Sequence, residues 1–75
     1  MILDVDMEDK GMPKGWMALQ KEEDRGMIIV NINQISSIEP DGDITIVWFL
    51  AGHVDGNVRV REKVETILEL IERNS

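Results

Sequence analysis

No cysteine occurs in the 75 residues, and histidine occurs once, at position 53. Disulfide staples and thiolate zinc sites are thereby excluded, and a lone imidazole cannot build a histidine-rich metal centre. Cations are scarce as well: 8 Lys and Arg stand against 15 Asp and Glu, a formal charge of −7. A polyanion partner needs clustered Lys or Arg to release counterions, so nucleic acid is a disfavoured partner. The acidity is dispersed, since residues 1–25 carry seven acids and four bases and residues 26–75 carry eight and four. No apolar run approaches the about 20 residues that cross a bilayer. The Met1–Asp6 stretch lacks the basic and long apolar regions of a signal peptide. These absences lead us to expect no membrane partner, no cofactor and a cytoplasmic location.

A chain of this length buries only about 60% of its unfolded surface, which leaves a thin margin of stability. Small scaffolds gain margin from disulfides, metals or self-association. With the first two removed by composition, self-association remains.

Punctuation by Pro, Gly and charge divides the rest. Residues 1–15 read as a loop-like N-terminal segment or frayed edge strand, with Gly11, Pro13 and Gly15 among charges. Residues 16–75 read as a single β-rich domain. Trp16–Gln20 is a short strand, and the charged run Lys21–Arg25 closed by Gly26 is a hairpin loop. Met27–Ile32 is the next strand, with Ile28, Val30 and Ile32 on one face. Asn31 and Asn33 favour a local turn, placed at residues 33–35, before a strand from Ile35 to Glu39. Pro40-Asp41-Gly42-Asp43 is the clearest turn signal. Ile44–Ala51 follows as the strongest strand, Gly52 suggests a bulge, and Asp55-Gly56 a hairpin turn. Val58 to Arg61 alternates, with both valines inward and Arg59 and Arg61 outward.

Residues 62–73 are helical in pattern, with Val64, Ile67, Leu68 and Ile71 forming one apolar stripe. No Ser, Thr, Asp or Asn stands at the N-cap, so the helix start must borrow a tertiary partner or fray. The expected fold class is α+β: a small antiparallel β-sheet or partly open β-barrel of 4–5 strands followed by one C-terminal amphipathic helix.

Candidate chemistry is sparse. His53 could act as a general base oriented by Asp55, but no nucleophile accompanies it, so a surface histidine at a strand end is the better reading. Asp4, Asp6 and Glu8 alternate as calcium-loop ligands do, yet Asp9 and Gly15 stand where the motif needs glycine and glutamate. Glu39, Asp41 and Asp43 fail likewise, with Ile44 at the glycine position. Gly11-Met-Pro-Lys-Gly15 lacks the ending that grips phosphates. Catalysis is not expected.

The Ile44–Ala51 strand is unusual because both of its faces are apolar. Ile44, Ile46, Trp48 and Leu50 share one side; Val47, Phe49 and Ala51 share the other, with Thr45 alone polar. A half-exposed antiparallel strand should alternate apolar with polar. One helix covers one face, so the side led by Val47, Phe49 and Ala51 is expected to meet a partner subunit, a barrel interior or an N-terminal cover. Val47, Trp48, Phe49 and Ala51 are the expected interface, with the two aromatics as anchors.

From Met27 to Arg73 the chain resembles the small flagellar-operon proteins of the FlbD (swarming-motility) type and similar phage-encoded proteins. The matching residues are Asn31, Ile35, Ile38 and Glu39, the turn Pro40–Asp43, then Val60, Glu62, Val64, Glu65, Ile67 and Ile71. Lys63 stands where that family has a helix-capping serine, and the Trp48-Phe49 strand departs from its pattern. The resemblance implies a non-enzymatic protein-interaction role in a bacterium or phage.

The leading expectation is therefore a non-catalytic homo-oligomeric interaction module. Two alternatives stand beside it. One is an Sm-like ring binding single-stranded RNA through Arg59 and Arg61; the other is an oligomer that sequesters a small ligand near Trp16, Trp48 or His53.

Overall fold

A computed structural model describes residues 12–50 and 56–75. β1 (Trp16–Gln20) and β2 (Met27–Asn31) pair antiparallel, with Met17 opposite Val30 and Leu19 opposite Ile28. Both pairs point inward, because residues two apart share a face of a strand. Asp24 shapes the connecting loop: its Oδ1 accepts the Gly26 amide at 2.8 Å, and its carboxylate meets Lys21 Nζ at 3.4 Å.

The Gly26 hydrogen bond, opposed by desolvation and helped by Lys21, holds the Asp24 carboxyl below its ordinary value of 3.8. A depressed carboxyl adds stability above its unfolded value and loses it as pH falls through the folded one. The loop bond should therefore persist at neutral pH and open only below about pH 3.8. A carboxyl NMR titration should give Asp24 a midpoint under that value, with the Gly26 amide shifting in step.

Ile32–Gln34 form one 3-10 turn, in which the Asn31 side chain accepts the Asn33 amide at 2.9 Å. The turn thus begins one residue earlier than the sequence suggests, and β2 ends at Asn31 rather than Ile32. β3 (Ile35–Asp41), β4 (Ile44–Phe49) and β5 (Asn57–Val60) form a second antiparallel sheet in the order β3-β4-β5. Pro40 lies within β3 opposite Thr45, so the tight turn contracts to Gly42-Asp43, with Gly42 at φ 64°. α1 (Val64–Asn74) closes the chain.

The two sheets meet along β1 and β5. Lys21 bridges Val60, the Glu22 amide donates to the Arg59 carbonyl at 2.9 Å, and the Arg61 amide donates to the Gln20 carbonyl at 2.9 Å. Glu62 extends this seam without being in a strand. Its carboxylate accepts the Gln20 amide at 3.0 and 3.1 Å, and its carbonyl accepts the Thr45 hydroxyl at 2.7 Å. These ties keep Glu62 and Lys63 out of the helix, which starts two residues later than its periodicity predicts. Lys63 provides no side-chain cap. Among the described strands β2 pairs with none but β1, and β3 with none but β4, so these sheets do not close into a barrel.

Met17, Leu19, Val30, Val47, Val60 and Ile67 are buried and form one core, and Thr45 is buried beside them. Ile28, Ile32, Ile35, Ile38, Phe49 and Val58 pack against it. The helix contributes Ile67, Leu70 and Ile71, while Leu68 is 53% exposed. The stripe expected from Val64, Ile67, Leu68 and Ile71 is therefore rotated. Ile67, Leu70 and Ile71 satisfy the same i, i+3, i+4 spacing. The helix C-terminus fixes the rotation: the Asn74 carbonyl accepts the Gly15 amide at 2.6 Å, and Asn74 Nδ2 donates to the Leu70 carbonyl at 2.7 Å.

Candidate functional site

The two faces of β4 exchange the roles the sequence suggested for them. Val47 is fully buried and Phe49 packs on the core, so these two belong to the interior and are not an outward interface. The β1–β2 hairpin and α1 both lie over that face, supplying Met17, Leu19, Val30 and Ile67, where the sequence suggested a partner subunit, a barrel interior or an N-terminal cover and gave the helix the opposite face. Strand parity separates the two faces but carries no information about which one is covered. Ala51 and His53 lie outside the described residues.

Ile44, Ile46 and Trp48 therefore point outward, and Trp48 is 38% exposed. Polar neighbours frame this row. The register sets Glu39 and Asp41 of β3 on one side and Asn57 and Arg59 of β5 on the other. Trp48 Nε1 donates to Glu39 Oε1 at 3.1 Å. Arg59 reaches across the sheet to Asp41 Oδ2 at 3.1 Å and back to Glu22 Oε1 at 3.2 Å. Hydrogen bonds to Glu22 and then Asp41 raise the Arg59 guanidinium above its usual range. Arg61 Nη2 donates to the Glu22 carbonyl at 3.3 Å. The arginines expected to meet phosphates are thus engaged by the protein's own oxygens.

The outer face of the β1–β2 hairpin is different. Trp16, Ala18 and Gln20 of β1 share it with Met27, Ile29 and Asn31 of β2, by register. Trp16 is 39%, Ile29 54% and Met27 67% exposed. Neither strand contains a charged residue, and no charged residue occurs from Gly26 to Ile38. In a chain that is 31% Asp, Glu, Lys and Arg, that is a long neutral stretch. Exposed apolar side chains that adjoin one another, unlike scattered ones, mark interaction surfaces. Trp16, one of the residues an enclosed ligand could adjoin, lies at the end of this surface. Met27 and Ile29 escaped sequence reading because their strand was judged by its inward residues, although the missing charge was there to be read.

One cleft of about 520 Å³ is lined by Lys21, Glu22, Glu23, Ile28, Asn57, Val58 and Arg59. Neither tryptophan borders it, and Glu22 and Arg59 of its rim pair with each other. Among the described residues no group of three or more His, Cys, Asp or Glu is placed to hold a metal ion. Among them, too, no helix is long and apolar enough to cross a membrane. The chain matches no protein-family model, no curated protein and no solved structure.

Proposed function

We propose that this protein is a non-catalytic, homo-oligomeric protein-interaction module, in a bacterial or phage setting as its FlbD-type resemblance implies. The supporting observation is the charge-free outer face of the β1–β2 hairpin, with Trp16, Met27 and Ile29 exposed side by side. Burying that face offsets the thin core of a 75-residue domain, and chains of charge −7 can approach there without opposing like charges. The RNA-binding reading has less behind it, because Arg59 is bound to two carboxylates and the net charge repels phosphate.

Light scattering coupled to size exclusion tests the proposal. The expected mass is at least twice the 8.6 kDa of one chain, falling towards it on dilution. Trp16 emission should shift to the blue as the mass rises. A single-chain mass at every concentration up to millimolar would remove the proposal.

A further inference from the structure

We propose that β2 pairs with β2 of a second copy, antiparallel about a two-fold axis through Ile29, so that two hairpins become one four-stranded sheet. This rests on the self-association reading above and specifies its geometry. The Lys21 amide bonds the Gly26 carbonyl and the Ile32 amide bonds the Gly15 carbonyl, at opposite ends of the β1–β2 ladder. Hydrogen-bonded pairs alternate along an antiparallel ladder, so the pairs between are Leu19 with Ile28 and Met17 with Val30. The backbone groups of Met27, Ile29 and Asn31 consequently point away from β1, along an edge that no described strand covers.

The other free edge, on β3, is protected. The two-residue Gly42-Asp43 turn makes Asp41 and Ile44 a hydrogen-bonded pair, so the nitrogen of Pro40 faces the free edge and has no hydrogen to give. A register shift between Ile35 and Ser37 bends the same strand, and Glu39 and Asp41 add charge to it. Proline, bulges and charges are the devices that keep edges from pairing. β2 has none of them. A β2–β3 contact between copies would meet the proline, so the unprotected edge is left to pair with itself.

Charge and length set the register. Centring on Ile29 pairs the whole of β2, with Met27 opposite Asn31 and Ile28 opposite Val30. Continued outward, this register sets the charged loop residues 21–25 opposite residues 33–37 of the other copy, which carry no charge. Two highly acidic chains thus meet without placing carboxylates against each other. A self-complementary patch of this kind is what a two-fold interface requires.

The absence of cysteine allows a direct test. In Ile29→Cys, the axis sets the two thiols in a hydrogen-bonded pair with Cα atoms about 5.5 Å apart, within the about 4.4–6.8 Å that a disulfide spans. Mild oxidation should cross-link this variant about a hundredfold faster than Ser37→Cys on exposed β3, because a formed pair holds its thiols at millimolar effective concentration. Ile29→Pro removes an amide with no partner among the described residues, so circular dichroism should be unchanged while the mass drops to a single chain. An oligomeric wild type whose Ile29→Cys form cross-links no faster than Ser37→Cys overturns the strand pairing and leaves self-association standing. An Ile29→Pro protein that stays oligomeric overturns it too, in favour of face-to-face packing. A wild type of single-chain mass, whether or not a strand of another protein fills the edge, overturns both readings.

Discussion

Ile67→Ala is expected to cost about 2–5 kcal/mol of folding stability, whereas Leu68→Ala, one residue along, should change it by no more than about 0.5 kcal/mol. Ile67 is fully buried where the helix meets both sheets, and Leu68 is half exposed. At about 0.05–0.15 kcal/mol per residue, a 75-residue domain has only about 4–11 kcal/mol to lose. Ile67→Ala should therefore leave a sizeable unfolded fraction in mild urea, read from the loss of helical circular dichroism. The comparison also tests the helix rotation. With Val64, Ile67, Leu68 and Ile71 inward, Leu68→Ala would be nearly as damaging as Ile67→Ala, and Leu70→Ala would be mild. The structure requires the reverse order for positions 68 and 70.

Glu62→Ala should cost about 1.5–3 kcal/mol, the range for hydrogen bonds to a charged group. Its carboxylate is the acceptor for the Gln20 amide at the junction of the two sheets, where no strand residue takes that place. Alanine leaves the amide without a partner in a half-buried position. Glu62→Gln keeps one acceptor oxygen and should recover about half the loss, since the neutral bond is weaker by roughly twofold. Urea unfolding gives the ranking, and faster hydrogen exchange at the Gln20 amide would localise the change. Unaltered Gln20 exchange in Glu62→Ala would mean that the seam is held by its two strand bonds alone. Thr45→Val tests the other half of the joint. It removes the hydroxyl bonded to the Glu62 carbonyl while keeping the buried volume nearly constant.

Local signals fared best where a turn or a strand expressed a purely local preference. Trp16–Gln20 is a strand with the boundaries its pattern indicates, and Gly42 and Gly56 carry positive φ as read, whereas in the 21–26 loop the positive φ falls on Arg25, at 60°, and not on Gly26. The Asn31–Asn33 bond, the inward Val58 and Val60, and the outward Arg59 also follow from residue type and alternation. The boundaries moved where a long-range partner intervened. β3 runs on through Pro40 because its nitrogen falls on the unpaired edge. The helix starts late because Glu62 is tied to β1 and β4.

The candidate site was less legible. Trp48 and Val47 were both expected at an interface, and the fold separates them by turning Val47 to the core and leaving Trp48 against Glu39. Glu22, Asp41 and Arg59 come from three separate parts of the chain, and nothing local announces that they neutralise one another. The neutral hairpin face was present in the composition of residues 16–20 and 26–38, but its exposure was not.

The doubly apolar Ile44–Phe49 strand shows where the division falls. By itself the sequence determined an acidic α+β chain without cysteine, the succession of strands before one helix, and the need to cover more apolar surface than a single helix can. These follow from composition, side-chain periodicity and turn chemistry, which act within a few residues. The tertiary structure alone decided that Thr45, Val47 and Phe49 face inward, that Leu70 replaces Leu68 on the buried side of the helix, and that no other described strand covers the outer edge of β2. Those outcomes depend on which layer packs on which face. Alternation and helical spacing are equally satisfied by either face, and only contacts between residues distant in sequence break the tie.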